Sequence, residues 1–79
     1  MDNTAKLRAV FADSLGVDGD VITDTLEYNS IPQWDSIAHM RLIGALELAF
    51  DVMIDTDDVI DMSSVAKARE ILKKYGVDL

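Results

Sequence analysis

Asp35, Ser36 and His39 lie within five residues of one another and hold the most reactive side-chain chemistry in the chain. Ser36 supplies a hydroxyl, His39 an imidazole that can take up or release a proton, and Asp35 a carboxylate. Such a set serves three different chemistries. A nucleophilic triad needs the imidazole to face the hydroxyl while the acid holds its far nitrogen, and it also needs an oxyanion hole and a pocket. Ser36 and His39 share a helix face at i, i+3, but three neighbours at one helix start do not easily supply that geometry, so His39 is expected on the surface. A second use is capping, because either Asp35 or Ser36 suits the N-cap of a helix. The third is anchorage. A serine at a helix start projects its hydroxyl into solvent, and a phosphodiester attached there gains from the local N–H groups and the positive helix end. As a bare dipeptide, Asp-Ser does not separate the second use from the third.

The aspartates pose a separate question, since they cluster twice. An EF-hand loop places glycine at its sixth position and glutamate at its twelfth. Counted from Asp55 those positions hold Ile60 and Ala66, and counted from Asp18 they hold Thr23 and Asn29. Both registers fail, and no metal site is expected. The chain has no cysteine, which removes thiolate ligands, cysteine nucleophiles and disulfides and makes a cytoplasmic setting the default expectation.

Positioning Ser36 falls to a small scaffold. The 79 residues form a single domain, 1–79, and the formal net charge is −8. From Val17 to Met62 there are eleven acids and one base, Arg41, whereas the rest of the chain carries four acids and six bases. An acidic middle repels nucleic acid and anionic lipid and speeds encounter with basic protein surfaces, although a solvated, solubilising face is its simplest use. The first residues lack the charged and apolar regions of a secretory signal, and no apolar run approaches the roughly 20 residues that span a bilayer. Neither nucleic acid nor membrane is therefore an expected partner.

Hydrophobic spacing predicts the elements. Leu7, Val10, Phe11 and Leu15 make one stripe of a helix over Thr4–Leu15, capped by Asn3 or Thr4 and stopped by Gly16. Val17–Trp34 is a long connection rich in Asp, Gly, Thr, Asn and Ser. It holds enough apolar residues to pack across the bundle, with a short helical turn expected near Ile22–Leu26. Ser36–Phe50 is the strongest helix: Pro32 blocks an earlier start, and its apolar positions cover more than one core stripe, so part of it should show apolar surface outward. Thr56–Asp61 should form a short turn capped by Thr56, with Asp57 and Asp58 at its positive end. Ser64–Tyr75 is the last helix, buried through Val65, Ala68, Leu72 and Tyr75 and stopped by Gly76. The expected fold is all-α: three main helices and one short one, with a long loop between the first two main helices.

Asp35-Ser36-Ile37, followed by Ala45-Leu46-Glu47 and Phe50, resembles the acyl carrier protein family, and the likeness continues through Ile54-Asp55 and the acidic short helix to Ser64-Val65. It spans essentially the whole chain. The resemblance implies a 4′-phosphopantetheine arm, derived from coenzyme A and esterified to Ser36, with Asp35 as cap and as part of what the phosphopantetheinyl transferase recognises. It implies a carrier and not an enzyme, with no catalytic residues, that presents acyl or aminoacyl groups to loading and processing enzymes in fatty-acid, polyketide or related biosynthesis. A monomer is expected, and the alternative is an unmodified acidic helical adaptor that binds basic partners. The partner surface is expected at Trp34, Ile37, Met40, Arg41, Glu47, Asp57 and Asp58, although Trp34 also suits a staple packed at the helix start. Apolar cargo could retreat between the helices, with Met40 and Met53 suited to line its path. Where fatty-acid members tend to carry acids, this chain has Ala38, Arg41, Leu48 and Ala49, which fits a specialised pathway better than housekeeping fatty-acid synthesis. The Gly-Gly pair that commonly precedes the serine of peptidyl carriers is also missing.

Overall fold

The computed structural model describes residues 2–79, and its secondary structure among them is helical apart from one isolated bridge between Glu27 and Ser64. Helix α1 spans Asn3–Leu15, α2 Ser36–Phe50, α3 Thr56–Asp61 and α4 Val65–Lys74. The expected bundle of three main helices and one short helix is what forms, with principal extents of 30 × 28 × 20 Å.

Helix α1 begins one residue earlier than its apolar stripe suggested. Asp2, and not Asn3 or Thr4, is its N-cap, and its carboxylate accepts from the Thr4 N–H at 3.1 Å. A carboxylate beside the positive helix end has a stronger hold than a neutral amide or hydroxyl. The helix ends as expected at Gly16, whose φ of 68° is the left-handed conformation that glycine adopts without a Cβ penalty. Leu7, Phe11 and Leu15 are buried, and Val10 packs at their edge.

The connection to α2 folds differently from its expectation. The helical turn predicted near Ile22–Leu26 lies earlier, as a 3₁₀ turn at Gly19–Val21. The residues after it are used as partners for the start of α4 instead. Val65 N–H donates to the Leu26 carbonyl, Ala66 N–H to that of Asp24, and Tyr28 N–H to that of Ser63. Lys67 N–H donates to the Ser64 hydroxyl at 3.0 Å. The first three N–H groups of α4, which no helix can satisfy internally, are thus satisfied by the loop and the N-cap. A bidentate pair between Arg69 and Asp24, at 2.7 and 2.9 Å, anchors the same contact.

The core gathers Leu7 and Phe11 of α1, Leu42 and Leu46 of α2, Met62, and Ala68 and Leu72 of α4 around Trp34. Tyr75 ends half-buried beyond α4, its ring side packed and its hydroxyl directed to α3. The surplus apolar residues of α2 face outward as expected: Ile37 is 72%, Met40 63% and Leu48 88% exposed.

Candidate functional site

Ser36 is the first residue of α2, and its exposure follows from the division of labour around it. Asp35 is the N-cap, in extended backbone conformation, and its carboxylate accepts from Ala38 N–H at 2.9 Å. The His39 N–H closes the first turn on the Asp35 carbonyl at 2.8 Å. Both capping duties fall to Asp35, and no hydrogen bond among the described residues engages the Ser36 hydroxyl. The Ser36 and Ile37 N–H groups lie beyond the reach of intrahelical carbonyls, as in the first turn of any α-helix. An exposed, unengaged hydroxyl next to two such donors is a setting that accepts a phosphodiester. Replacing Asp35 with alanine should cost about 0.5–2 kcal/mol of stability, read as a lower urea midpoint with an unchanged slope.

Trp34 and His39 stand at the positions just before the cap and four residues into the helix, where a hydrophobic staple joins across a helix start. Here the staple is partly polar. The two rings stack at 6.1 Å between centroids, and the Trp34 indole N–H donates to His39 Nδ1 at 3.0 Å. That acceptor role places the imidazole proton on Nε2, which donates to the Val59 carbonyl of α3 at 2.9 Å. Tyr28 and Phe11 pack edge-on against this pair, Tyr28 against His39 at 5.1 Å and Phe11 against Trp34 at 5.4 Å.

These contacts correct several expectations. His39 is buried, not on the surface, because its ring has partners on both nitrogens. A histidine whose nitrogens are both committed has none left to activate Ser36, which removes the triad. Trp34 has no exposed surface, so it is the staple and not a partner contact. Asp58 also leaves the expected partner surface. It is buried against α4, accepting from Lys74 Nζ at 2.6 Å and from the Tyr75 hydroxyl at 2.5 Å. Glu47 is half-buried and accepts from the Ile54 N–H at 3.0 Å, which ties the α2–α3 connection to α2. Ile37, Met40, Arg41 and Asp57 are exposed, and Arg41 also donates to the Ser14 carbonyl near the end of α1 at 3.4 Å. Met40 and Met53 face solvent, Met53 at 84% exposure, so neither lines the interior; Met62 is the buried methionine. At α3 the flanking cap residue is Asp55, with Thr56 already inside the helix. The signal missed was the spacing of a donor and an acceptor: the indole N–H of Trp34 just before the cap and the imidazole of His39 four residues beyond it read as a bonded pair.

The Asp58 cluster gives the fold an acid dependence. The Lys74 hydrogen bond, followed by that of Tyr75, holds the Asp58 carboxyl below its ordinary value of 3.8, and the same pairing raises the Lys74 ammonium above its ordinary 10.5. A carboxyl with a depressed folded pKa stabilises the fold above its unfolded value and loses that contribution as pH falls through the folded one. Thermal stability should therefore fall as pH drops below 3.8, and the Asp58→Asn variant should show a shallower acid limb. An identical limb in the variant would contradict the assignment. Among the described residues no helix is long and apolar enough to cross a membrane, and no cluster suits a metal ion.

Comparison with known proteins agrees with the geometry. Residues 5–72 match the family described as "Phosphopantetheine attachment site". A protein named "Acyl carrier protein" from Desulforapulum autotrophicum is 38% identical over 76 residues, covering 94% of this chain and 97% of that protein. Phosphopantetheine is the group this family takes, and its members work with a transferase and with acyl-processing enzymes. A helical bundle with an exposed serine at the start of its second main helix, matched along nearly its whole length, places this chain in the acyl carrier protein family.

Proposed function

We propose that Ser36 carries the 4′-phosphopantetheine arm and that the chain presents acyl or aminoacyl groups on it to partner enzymes. The observation that carries this reading is the unengaged, exposed hydroxyl at the first residue of α2, with the cap supplied by Asp35 instead. Attachment forms one bond from Ser36 Oγ to phosphorus as one phosphorus–oxygen bond of coenzyme A breaks. The nucleotide portion leaves and the hydroxyl proton is released. When bound, the arm supplies a thiol that forms thioesters, activated for acyl transfer. The chain's own residues hold the attachment point rigidly through the Asp35 cap and the Trp34–His39 staple, and they offer a surface to dock. Tethering raises the effective concentration of cargo at each docked enzyme, so the chain contributes transport and not catalysis.

The partner surface comprises Ile37, Met40, Arg41 and Asp57, joined by the exposed Leu48 and Ile60. Its apolar strip with Arg41 replaces the acids of fatty-acid carriers and supports a specialised pathway. A monomeric, cytoplasmic carrier is the form proposed. Incubation with coenzyme A, magnesium and a promiscuous phosphopantetheinyl transferase should add the mass of one arm. A folded chain that gains no mass would instead be the acidic adaptor.

A further inference from the structure

Five polar contacts clamp α3 and the residue pair before it. Ile54 N–H is held by Glu47 of α2, Asp55 N–H by the Tyr75 hydroxyl at 2.9 Å, Asp58 by Lys74 and Tyr75, and the Val59 carbonyl by His39 of α2. The Val59 carbonyl is one of the last four of α3 and has no intrahelical partner, so His39 also caps the C-terminus of this six-residue helix. The seam between α2 and α3 begins one turn beyond Ser36, at His39. An alkyl chain entering there would part His39 from Val59. It would break this part-buried hydrogen bond, a contact that apolar cargo cannot replace by hydrogen bonding of its own. The methionines suited to line an internal path, Met40 and Met53, are outside.

From this clamp we infer that the carrier takes short or polar acyl groups that stay in solvent, and does not enclose long alkyl chains between α2 and α3. The inference rests on the carrier reading and deepens it to a class of cargo. His39 is the positioning residue: it joins the first turn of α2, where the cargo is attached, to α3.

The test loads the full chain from acetyl-coenzyme A and, separately, from octanoyl-coenzyme A with a promiscuous transferase, and confirms each product by intact mass. The two loaded forms should melt within about 2 °C of each other, whereas enclosing an octanoyl tail would raise the melting point by about 10 °C or more. The Trp34 indole N–H and the Ile54 and Met62 methyl resonances should keep their shifts in both forms. The Tyr75→Phe variant keeps the ring packing but removes two of the five contacts, and His39→Gln keeps one donor while giving up the shared ring geometry. In either variant the octanoyl form should gain stability over the acetyl form, and long-range nitrogen couplings in the wild-type chain should show the Nε2–H tautomer of His39 in both loaded forms. Octanoyl-dependent shifts of Ile54 and Met62 in the wild-type chain, with the loaded mass present, would overturn the inference and leave the carrier reading standing. No loaded mass from either donor would overturn both.

Discussion

Replacing Trp34 with alanine should destabilise the protein by about 3–5 kcal/mol, the usual range for a buried tryptophan cut back to a methyl group. Two losses act together. The indole is without exposed surface and meets Phe11, Tyr28 and His39 through its ring, so its removal leaves a cavity at the centre of the bundle. It also donates the hydrogen bond that fixes the His39 tautomer, so the imidazole would lose the partner on Nδ1 and the orientation that serves Val59. Since domains of this size have total stabilities at the low end of about 5–15 kcal/mol, the variant should be largely unfolded at 37 °C. Trp34→Phe separates the two terms: it keeps most of the packing and loses the donor, and it should fall between the wild type and Trp34→Ala in urea unfolding. Equal stability of the phenylalanine variant and the wild type would show that the hydrogen bond contributes nothing.

The second large effect is functional and leaves the fold intact. Ser36→Ala should abolish attachment of the arm altogether while shifting the melting point by less than about 3 °C, because the Ser36 hydroxyl has no structural partner and alanine is a better helix former than serine. Asp35→Ala should differ in its effect on the fold, losing stability through the cap while keeping the Ser36 hydroxyl proposed as the attachment point. The contrast between neighbours follows from the geometry, in which Asp35 caps the helix and the Ser36 hydroxyl is left unengaged. If Ser36→Ala melted far below the wild type, the serine would be a structural cap after all.

How much of this was legible in the residues varies with the kind of information each feature needs. The helices were readable because their apolar periodicity and stop signals are local: Gly16 ends α1 and Gly76 follows α4 in the left-handed conformation. The surplus apolar positions of α2 were readable too, since a stripe wider than a core face must leave Ile37, Met40 and Leu48 outside. Ser36 stood out through its place before an apolar run. The contacts between distant segments were hidden. Nothing near Leu26 announces that its carbonyl accepts from Val65, and nothing near Asp58 announces that Lys74 and Tyr75 fold back onto it. An aspartate in an acidic run reads as solvated surface unless its distant partners are known. His39 was misplaced for a similar reason, because its burial depends on Val59, twenty residues on. Trp34 admitted two readings, and only packing against α1 selects the staple.

For the docking surface proposed above, the consequence is a strip more apolar than the acidic composition suggested. Of the acids expected to meet partners, Asp58 is internal and Glu47 holds a backbone N–H. The exposed strip of α2 instead offers Ile37, Met40 and Leu48, with Arg41 beside them. Partners that read this strip would depend less on salt than partners of a wholly acidic face, since screening acts on exposed charge.

The most direct measurement is tandem mass spectrometry of proteolytic peptides from chain treated with coenzyme A and a phosphopantetheinyl transferase. One arm on Ser36, in the fragment ions that separate it from Ser30, is the expected result. An arm on any other residue, or an unmodified Ser36 in a folded chain, would contradict it.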